Sequence, residues 1–301
     1  MRMLQYNQDP QQVIKTADES INSFVDPQEA NIDHSTVDSF GEEWKKFSEF
    51  SKLDIKTAGD QYFDIAQGMF DNGSIVLDAG CGTGRWSLYL SDKVSFIEAI
   101  DPSESVLSAV NLTRNVNNIR VSLASISNIP FADDSFDLVI CLGVLHHIPD
   151  SKEAMRNLVQ KVKRGGRCLI YMYYDLDNRG VVYKSLFGLV NLARRIISSM
   201  PSFAKKLICE IIALFVYLPL VFLGRSVKAL TSNDLYKRMP LSYYADKSFR
   251  IMRNDALDRF GTPLEQRYNQ QQIRSMMEDA GLEDIRFSEN EPYWHTIGRK
   301  K

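Results

Sequence analysis

The segment VLDAGCGTGRWSLYL, residues 76–90, has the residue types and spacing that most clearly imply chemistry. Gly80, Gly82 and Gly84 follow a short apolar run at alternate positions. This pattern predicts a strand, a tight turn and then a helix, with the turn's backbone open to a ligand. Asp78 stands at the end of the strand, ahead of the glycines. Its carboxylate would repel the pyrophosphate of a dinucleotide but attract a ligand that carries an ammonium and a sulfonium.

A second acid, Asp101, closes the next apolar run, 17 residues beyond Gly84. An acid at about this distance from a glycine loop accepts hydrogen bonds from ribose hydroxyls. Helix capping is the alternative, because Pro102 and Ser103 follow and could begin a helix. Together, the glycine loop and the two acids favour S-adenosylmethionine over NAD as the cofactor.

Short apolar strands alternate with helical segments around these residues. Strand followed by helix, repeated several times, predicts a parallel sheet that helices cover on both faces. Ligands of such sheets bind beyond the carboxyl ends of the strands. The predicted strands are 74–79, 95–101, 119–125, 136–143 and 166–174, and the helices between them are 84–92, 103–115 and 151–163.

Four segments together resemble the class I S-adenosylmethionine-dependent methyltransferases, in particular the group of ubiquinone-biosynthesis and small-molecule O-methyltransferases. This resemblance implies an α/β fold with a Rossmann-like, seven-stranded, mostly parallel sheet whose last strand is antiparallel. The helix 270–281 and the strands 283–289 and 292–300 fit the end of that fold. The segments that carry the resemblance are 78–90, Asp101, 127–150 and 161–174.

The resemblance also assigns cofactor contacts along the strand ends. Many relatives have an acid after the third strand that faces the adenine amino group, and here Ser125 occupies that position. A serine hydroxyl accepts a hydrogen bond less strongly than a carboxylate, so Ile126 is expected to hold the adenine through its backbone and apolar face. The remaining contacts are Gly80, Cys81 and Gly82 at the methionine part, Asp101 at the ribose, and Cys141 and Leu142 at the methionyl end.

His146 and His147 follow the fourth strand, near the expected position of the transferred methyl group. A hydroxyl acceptor must lose its proton, and histidine is suited to take it near neutral pH. The alternative for each histidine is a structural hydrogen bond. Tyr173 and Asp175 end the fifth strand and are candidate acceptor contacts, with packing and a turn as the alternative. No metal site is expected, because adjacent histidines cannot both face one ion and the four cysteines lack C-x-x-C spacing.

The chain of 301 residues divides into four predicted parts. Its net charge of −2 gives no indication of a nucleic-acid partner, and the N-terminus lacks a secretory signal, so a cytoplasmic location is expected. The parts are a polar arm over 1–39, helices and a cofactor-binding core over 40–175, a helical insertion or cap over 176–268, and a helix and strand pair over 269–301 that completes the core.

The insertion differs from the rest of the chain in charge and hydropathy. Between 175 and 268 there are 15 Lys and Arg against 8 Asp and Glu, so this part carries +7 and the remainder −9. Residues 181–197 form an amphipathic pattern, and 207–224 are apolar except for Glu210. This run could be a buried helix of a lid, an interfacial hairpin on the inner face of a membrane, or a membrane span. Peripheral membrane association would involve 181–228.

The function that these patterns predict is methyl transfer, to an oxygen of a small-molecule, glycan or lipid-linked acceptor. A nitrogen or carbon acceptor is one alternative, and a non-catalytic scaffold that binds a membrane or partner is another. The intact Asp78, glycine loop and Asp101 favour an enzyme, because a scaffold would tolerate their loss.

Overall fold

The computed structural model describes residues 3–16, 20–46, 51–175, 180–230, 249–290 and 294–301, together with residues 239, 241, 244 and 292. The chain forms two compact units. Residues 1–178 and 264–301 make one unit, the sheet unit, and residues 179–263 make the other, the helical unit.

The sheet unit contains all nine strands of the described chain. Its elements, in order, are β1 (Gln12–Lys15), β2 (Ser20–Ser23), α1 (His34–Lys46), α2 (Lys52–Tyr62), β3 (Ile75–Ala79), α3 (Arg85–Leu90), β4 (Phe96–Asp101), α4 (Ser105–Thr113), β5 (Ile119–Leu123), β6 (Phe136–Leu142), α5 (Ser151–Lys161) and β7 (Val162–Tyr171). The helical unit supplies α6 (Val181–Ser198), α7 (Ser202–Ile212), α8 (Leu218–Leu230) and α9 (Phe249–Gly261), and the chain ends with α10 (Gln270–Asp279), β8 (Leu282–Phe287) and β9 (Thr296–Lys300).

The strand order is β1-β2-β5-β4-β3-β6-β7-β9-β8. Strands β3 to β7 pair with one another in parallel, and β9 inserts antiparallel between β7 and β8. The Rossmann-like fold with an antiparallel last strand is therefore confirmed. The predicted count of seven strands is wrong for the whole sheet, which has nine among the described residues.

The two additional strands come from the polar N-terminal arm. The hairpin β1–β2 joins the sheet where Ser23 pairs in parallel with Leu123 of β5. Two apolar side chains anchor it, because Ile21 and Phe24 are each only 1% exposed. Burying a large apolar side chain contributes about 1.5–3 kcal/mol, which is enough to hold a short hairpin against an existing edge.

The glycine loop after β3 is tied to the end of β4. Ile100 O accepts hydrogen bonds from Gly80 N (2.8 Å) and Cys81 N (2.9 Å). Gly80, Gly82 and Gly84 all adopt positive φ values, of 76°, 53° and 77°. A Cβ on Gly80 would lie 2.3 Å from Cγ2 of Val144. The loop therefore requires glycine at residue 80 for two reasons, the backbone conformation and the lack of space.

Residues 24–41, here called the roof segment, run along the carboxyl ends of three strands. Phe24 N donates to Leu123 O of β5 at 2.7 Å. Asn31 exchanges two side-chain hydrogen bonds, of 2.7 and 3.0 Å, with the backbone of Asp150 at the start of α5. Further on, the Phe40 ring lies 4.9 Å from that of His147, after β6. Gly41, the last residue of the roof segment, packs beside Ser103 and Glu104, after β4. The segment thus covers the edge of the sheet at which a ligand would bind.

The helical unit has its own core and an exposed apolar surface. Helices α7 and α8 are joined by a π-helical turn at Ala213–Tyr217 and form one continuous helix. This turn lies just before Pro219, whose ring and missing N–H would otherwise disrupt the α-helical ladder at residue 215. Phe203–Leu230 is one helix of the described chain with the length and composition to cross a membrane, although 28% of its most apolar window is buried within the protein.

The double constraint on Gly80 predicts a large loss of stability in Gly80→Ala. Strain at positive φ and the clash with Val144 together should lower the free energy of unfolding by about 2–5 kcal/mol. Gly68→Ala is a matched control, since Gly68 has φ 73° but no atom of the described chain within 4 Å of the place its Cβ would take, and should cost only about 1–2 kcal/mol. Urea unfolding followed by Trp fluorescence measures this, because Trp44, Trp86 and Trp294 are all in the sheet unit. Equal losses in the two variants would contradict the steric argument.

Candidate functional site

Asp78, in β3, presents a buried carboxylate at the centre of the carboxyl edge. Its Oδ2 accepts a hydrogen bond of 2.6 Å from Ser87 Oγ, while Oδ1 is buried and has no partner among the described residues. Burial raises the pKa of this carboxyl from 3.8 to about 7, against the lowering effect of the Ser87 hydrogen bond. A buried oxygen without a partner costs about 1–3 kcal/mol. A ligand ammonium at Oδ1 would remove that cost.

Asp101, the last residue of β4, makes the capping contacts that were the alternative to ribose binding. Its Oδ1 accepts from Ser103 N (2.9 Å) and Ser103 Oγ (2.6 Å), and its Oδ2 accepts from Gly82 N (3.0 Å). A carboxylate has about four acceptor positions, so Oδ2 can accept one further hydrogen bond. The capping contacts therefore orient Asp101 without preventing a bond to a ribose hydroxyl, which stays a prediction.

Ser125 is placed at the carboxyl end of β5 but its hydroxyl is fully used. It donates to Glu29 Oε1 at 2.7 Å and accepts from Ser127 N and Asn128 N, both at 3.1 Å. One hydroxyl has one donor and two acceptor positions. The Ser125 hydroxyl thus has no acceptor position left for an adenine amino group. Ile126 is buried in the sheet core, 5% exposed.

Three other predicted contacts direct their side chains into the protein. Cys81 packs in a cluster with Val106 and Ala109 of α4, and Cys141 and Leu142 of β6 are also in core clusters. Burial raises the pKa of both thiols well above its ordinary value. These residues could therefore contact a cofactor only through their backbone.

The adjacent histidines form a short 3-10 turn after β6, and both are buried. His146 Nδ1 accepts a hydrogen bond of 3.3 Å from Tyr173 N, so its proton is on Nε2, which has no partner among the described residues. Burial lowers the pKa of His146 well below 6.5. His147 Nδ1 lies 2.7 Å from the carbonyl oxygen of Leu264, which can only accept, so its proton is on Nδ1. His147 therefore carries its lone pair on Nε2, as a general base requires.

The candidate acceptor contacts differ in their surroundings. The Tyr173 ring stacks on His146, with ring centroids 3.8 Å apart, and the Arg267 guanidinium lies 5.2 Å from the same ring. Asp175 is exposed, and its backbone N–H donates to Tyr268 O at 3.0 Å. The structure brings Tyr173 to the histidines but gives Asp175 no contact with them.

Several residues at this edge had no sequence signal. Six buried side-chain polar atoms lack a partner within the described ranges. Four of them belong to residues that the sequence did not indicate: Glu29 Oε2, Arg167 Nη1, Arg253 Nε and Glu265 Oε2. Glu265 pairs with Arg267 at 2.8 Å and precedes Gln266, whose N–H donates to His146 O. Buried polar atoms without partners are uncommon in folded proteins. Asp78 and His146 are predicted site residues and Glu29 is bonded to a third, Ser125, so the unpartnered atoms of these residues indicate a ligand site.

A second polar network joins β9 to the turn after α2. Asp64 accepts hydrogen bonds from Ser288 Oγ, Asn290 Nδ2 and His295 Nε2, at 2.7–2.8 Å. The other His295 nitrogen, Nδ1, lies 2.6 Å from Pro292 O. Both ring nitrogens of His295 therefore face acceptors within this network. No group of three or more metal-binding side chains occurs in the part of the chain that the structure describes.

Comparison with known proteins identifies the sheet unit. Residues 77–170, which include the glycine loop, Asp101 and both histidines, match the family model of a methyltransferase domain. The sheet unit is a class I S-adenosylmethionine-dependent methyltransferase domain. The expectation of S-adenosylmethionine as cofactor is thereby confirmed, and the unpartnered Asp78 Oδ1 fits its ammonium.

Two curated relatives and one solved structure show how far the similarity extends. The chain is 30% identical over 158 residues to a ubiquinone biosynthesis O-methyltransferase of Pseudomonas fluorescens, across 50% of this chain and 66% of that protein. It is 32% identical over 102 residues to the uncharacterized methyltransferase YcgJ of Bacillus subtilis, across 33% of this chain and 40% of that protein. A solved SAM-dependent methyltransferase of Aquifex aeolicus is 22% identical, with a TM-score of 0.39, over 46% of this chain and 77% of that chain. The chain spans less than two thirds of the length of the curated relatives.

The raised pKa of Asp78 predicts pH-dependent cofactor binding. An ammonium attracts the ionised carboxylate, so affinity for S-adenosylhomocysteine should be full above pH 7 and should fall by up to about tenfold per pH unit below it. Calorimetry across this range measures the effect, and Asp78→Asn should bind more weakly with no such dependence. Asp92→Asn, which changes an exposed acid of the same unit, is the control and should behave as the wild type. An unaltered pH profile in Asp78→Asn would remove Asp78 from the site.

Proposed function

We propose that this protein methylates an oxygen atom of a small-molecule acceptor, a class that includes glycan and lipid-linked molecules. The observation that carries the proposal is the tautomer of His147, whose Nδ1–H is held by Leu264 O so that Nε2 can take a proton. Oxygen acceptors such as phenols and alcohols must lose a proton, whereas a carboxylate need not. The name of the Pseudomonas relative, an O-methyltransferase, supports the same reaction class.

In this proposal, some residues of the sheet unit bind the cofactor and others take the proton of the acceptor. S-adenosylmethionine supplies a methyl group on a positively charged sulfur. Asp78 and Asp101 would hold it at its ammonium and ribose, and this positioning provides most of the catalysis in an in-line displacement. His147 Nε2 would take the proton of the acceptor. His146 Nε2–H, a donor without a partner in the described chain, would hydrogen-bond to the acceptor or to a water.

The alternatives differ in what they require of these residues. A nitrogen or carbon acceptor would use the same cofactor contacts, so substrate screening has to separate it from an oxygen acceptor. A scaffold without activity would gain nothing from buried polar atoms that lack partners, since each costs about 1–3 kcal/mol. The methyltransferase proposal explains the unpartnered atoms of Asp78 and His146 as places for ligand groups.

The two histidines are predicted to differ in their effect on turnover. His147→Gln should lose about 10²–10⁴ in kcat, because it removes the base, and should keep its affinity for S-adenosylhomocysteine. His146→Gln retains a donor and should lose much less. The rate of S-adenosylhomocysteine formation is measured on whichever member of a panel of phenols, sugar alcohols and prenylated catechols the wild type methylates fastest. Full activity in His147→Gln would contradict the proposed base and indicate an acceptor that is already ionised.

We also propose that the helical unit brings the protein to an anionic membrane surface. Six large apolar residues of the continuous helix, here called the apolar row, follow one another at intervals of three or four and are 38–76% exposed. This spacing places them along one face of the helix, over about 28 Å. The row consists of Phe203, Leu207, Ile211, Phe215, Leu218 and Phe222.

The opposite face of the same helix is occupied by the core of its own unit. Cys209, Ala213, Tyr217 and Val221 are buried there against α6 and α9. Six large apolar side chains thus stay exposed on a helix that already has a buried face of its own. A contiguous exposed apolar surface of this kind marks an interaction site.

Charge favours an anionic lipid surface as the occupant of the apolar row. Lys205 and Lys206 precede the row's centre, Arg225 and Lys228 follow it, and residues 211–224 contain no charged side chain. Long basic side chains at both ends of an apolar helix can reach lipid phosphates while the apolar face inserts. The net charge of +7 over 175–268 adds a longer-range attraction.

Vesicle flotation tests the membrane proposal. The wild type should float with vesicles of phosphatidylglycerol and phosphatidylcholine at about 0.05 M salt and less at about 0.5 M, because salt screens the electrostatic part. Phe215→Ser with Phe222→Ser should abolish flotation, since each buried phenylalanine contributes about 1.5–3 kcal/mol. Leu53→Ser is the matched control, an equally exposed apolar residue of the sheet unit, and should float as the wild type. A wild type that stays with the soluble fraction in every lipid mixture would show the proposal to be wrong.

A further inference from the structure

Glu29, in the roof segment, has one carboxylate oxygen that the fold leaves without a partner. Its Oε1 accepts the Ser125 hydroxyl hydrogen at 2.7 Å, and its Oε2 is buried and meets no hydrogen-bond donor within the described residues. Burial raises the pKa of this carboxyl above 4.5. The residue belongs to the polar N-terminal arm and is not among the predicted site residues. Glu29 takes no part in the cofactor contacts of Asp78 and Asp101 or in the proton transfer proposed for His147.

The sheet order places Glu29 near the base of a cofactor that binds at Asp78 and Asp101. Strands β3, β4 and β5 are neighbours, about 4.8 Å apart from strand to strand. Asp78 belongs to β3 and Asp101 ends β4, so a ligand with its ammonium at the first and its ribose at the second extends toward the end of β5. Ser125 and Glu29 lie there. The base attached to the ribose is the group that would reach them.

Of these two residues, only Glu29 can accept a further hydrogen bond. The Ser125 hydroxyl already donates once and accepts twice. Glu29 Oε2 has its full acceptor capacity, and an exocyclic amino group on a purine is a donor without charge that suits it. The Ser125 hydroxyl instead fixes the orientation of the carboxylate by binding Oε1.

The roof segment holds Glu29 firmly at this position. On one side, Asn128 Nδ2 donates to Phe24 O at 2.7 Å and Phe24 N donates to Leu123 O at 2.7 Å. On the other side, Asn31 is bonded to Asp150. Anchors five residues before and two residues after Glu29 limit its movement, so its carboxylate is preorganised for a ligand.

We propose that Glu29 Oε2 accepts a hydrogen bond from the 6-amino group of the cofactor's adenine, and so selects adenine over a 6-oxo purine. The proposal rests on cofactor binding at Asp78 and Asp101. The carboxylate comes from the N-terminal arm, which reaches the end of β5 through the β1–β2 hairpin.

The chemical test compares S-adenosylhomocysteine with S-inosylhomocysteine, which has a carbonyl oxygen in place of the amino group. The wild type should bind the inosyl compound at least about tenfold more weakly in calorimetry, because two acceptors then face each other. In Glu29→Gln, the amide oxygen is needed by the Ser125 hydroxyl, so the amide NH₂ faces the base. This variant should bind the adenosyl compound about 10- to 100-fold more weakly and should lose or reverse the preference for adenine.

The control and the alternative outcomes separate this inference from the cofactor assignment. Asp9→Asn changes an exposed acid of the same N-terminal arm and should leave both affinities within about twofold of the wild type, on the scale of a surface charge. If the wild type binds neither compound, the cofactor assignment itself fails. If the wild type binds but Glu29→Gln keeps the same preference, Glu29 does not read the base. Tighter binding of both compounds in Glu29→Gln would mean that Glu29 obstructs the base, which also overturns the proposal.

Discussion

The structure of the sheet unit depends on holding the Asp78 carboxylate out of water, where the Ser87 hydrogen bond and the charge of Arg85 only partly offset its burial. A carboxyl whose pKa is raised to about 7 opposes folding when it is ionised, and the surrounding core has to offset that cost. Strands β3 and β4 supply the offset, because nearly all of their side chains are buried. The hydrogen bond from Ser87 engages Oδ2 and leaves Oδ1 without a partner among the described residues. The apolar strands thus stabilise a fold that contains a buried carboxylate, and the unpartnered oxygen of that carboxylate favours binding of a ligand ammonium.

Local chemistry explains why much of the fold was predictable. The strand ends, the glycine loop and the order of elements depend on short patterns, and the class of fold and the cofactor are both confirmed. The start of β7 was less predictable, since the sequence places it at 166 and the strand begins at Val162. Gly165 and Gly166 look like a turn, but a bulge in the pairing of β6 with β7 accommodates them inside the strand. Likewise, Pro219 suggests a break in a helix that a π turn makes continuous.

The site was predictable only for residues that lie next to a strand end. Asp78, Asp101 and the two histidines can be placed from spacing alone, and their roles stay predictions. Glu29 could not be, because it reaches Ser125 across 96 residues of sequence through a hairpin with no strong strand pattern. The tautomer of His147 depends on a backbone carbonyl 117 residues away. Such contacts are set by tertiary structure, and no local pattern of residue types encodes them.

The position of the roof segment has a kinetic consequence. It bonds to the end of β5 and the start of α5 and packs beside the start of α4, so it lies over the edge at which the cofactor is proposed to bind. A cofactor bound there would exchange through a local opening of residues 24–41, with the β1–β2 hairpin as its fixed end. Opening of this kind has its own free energy and rate, separate from those of the chemical step. Residence time at the proposed site would then depend on a stretch of chain that contains none of the residues of the glycine loop.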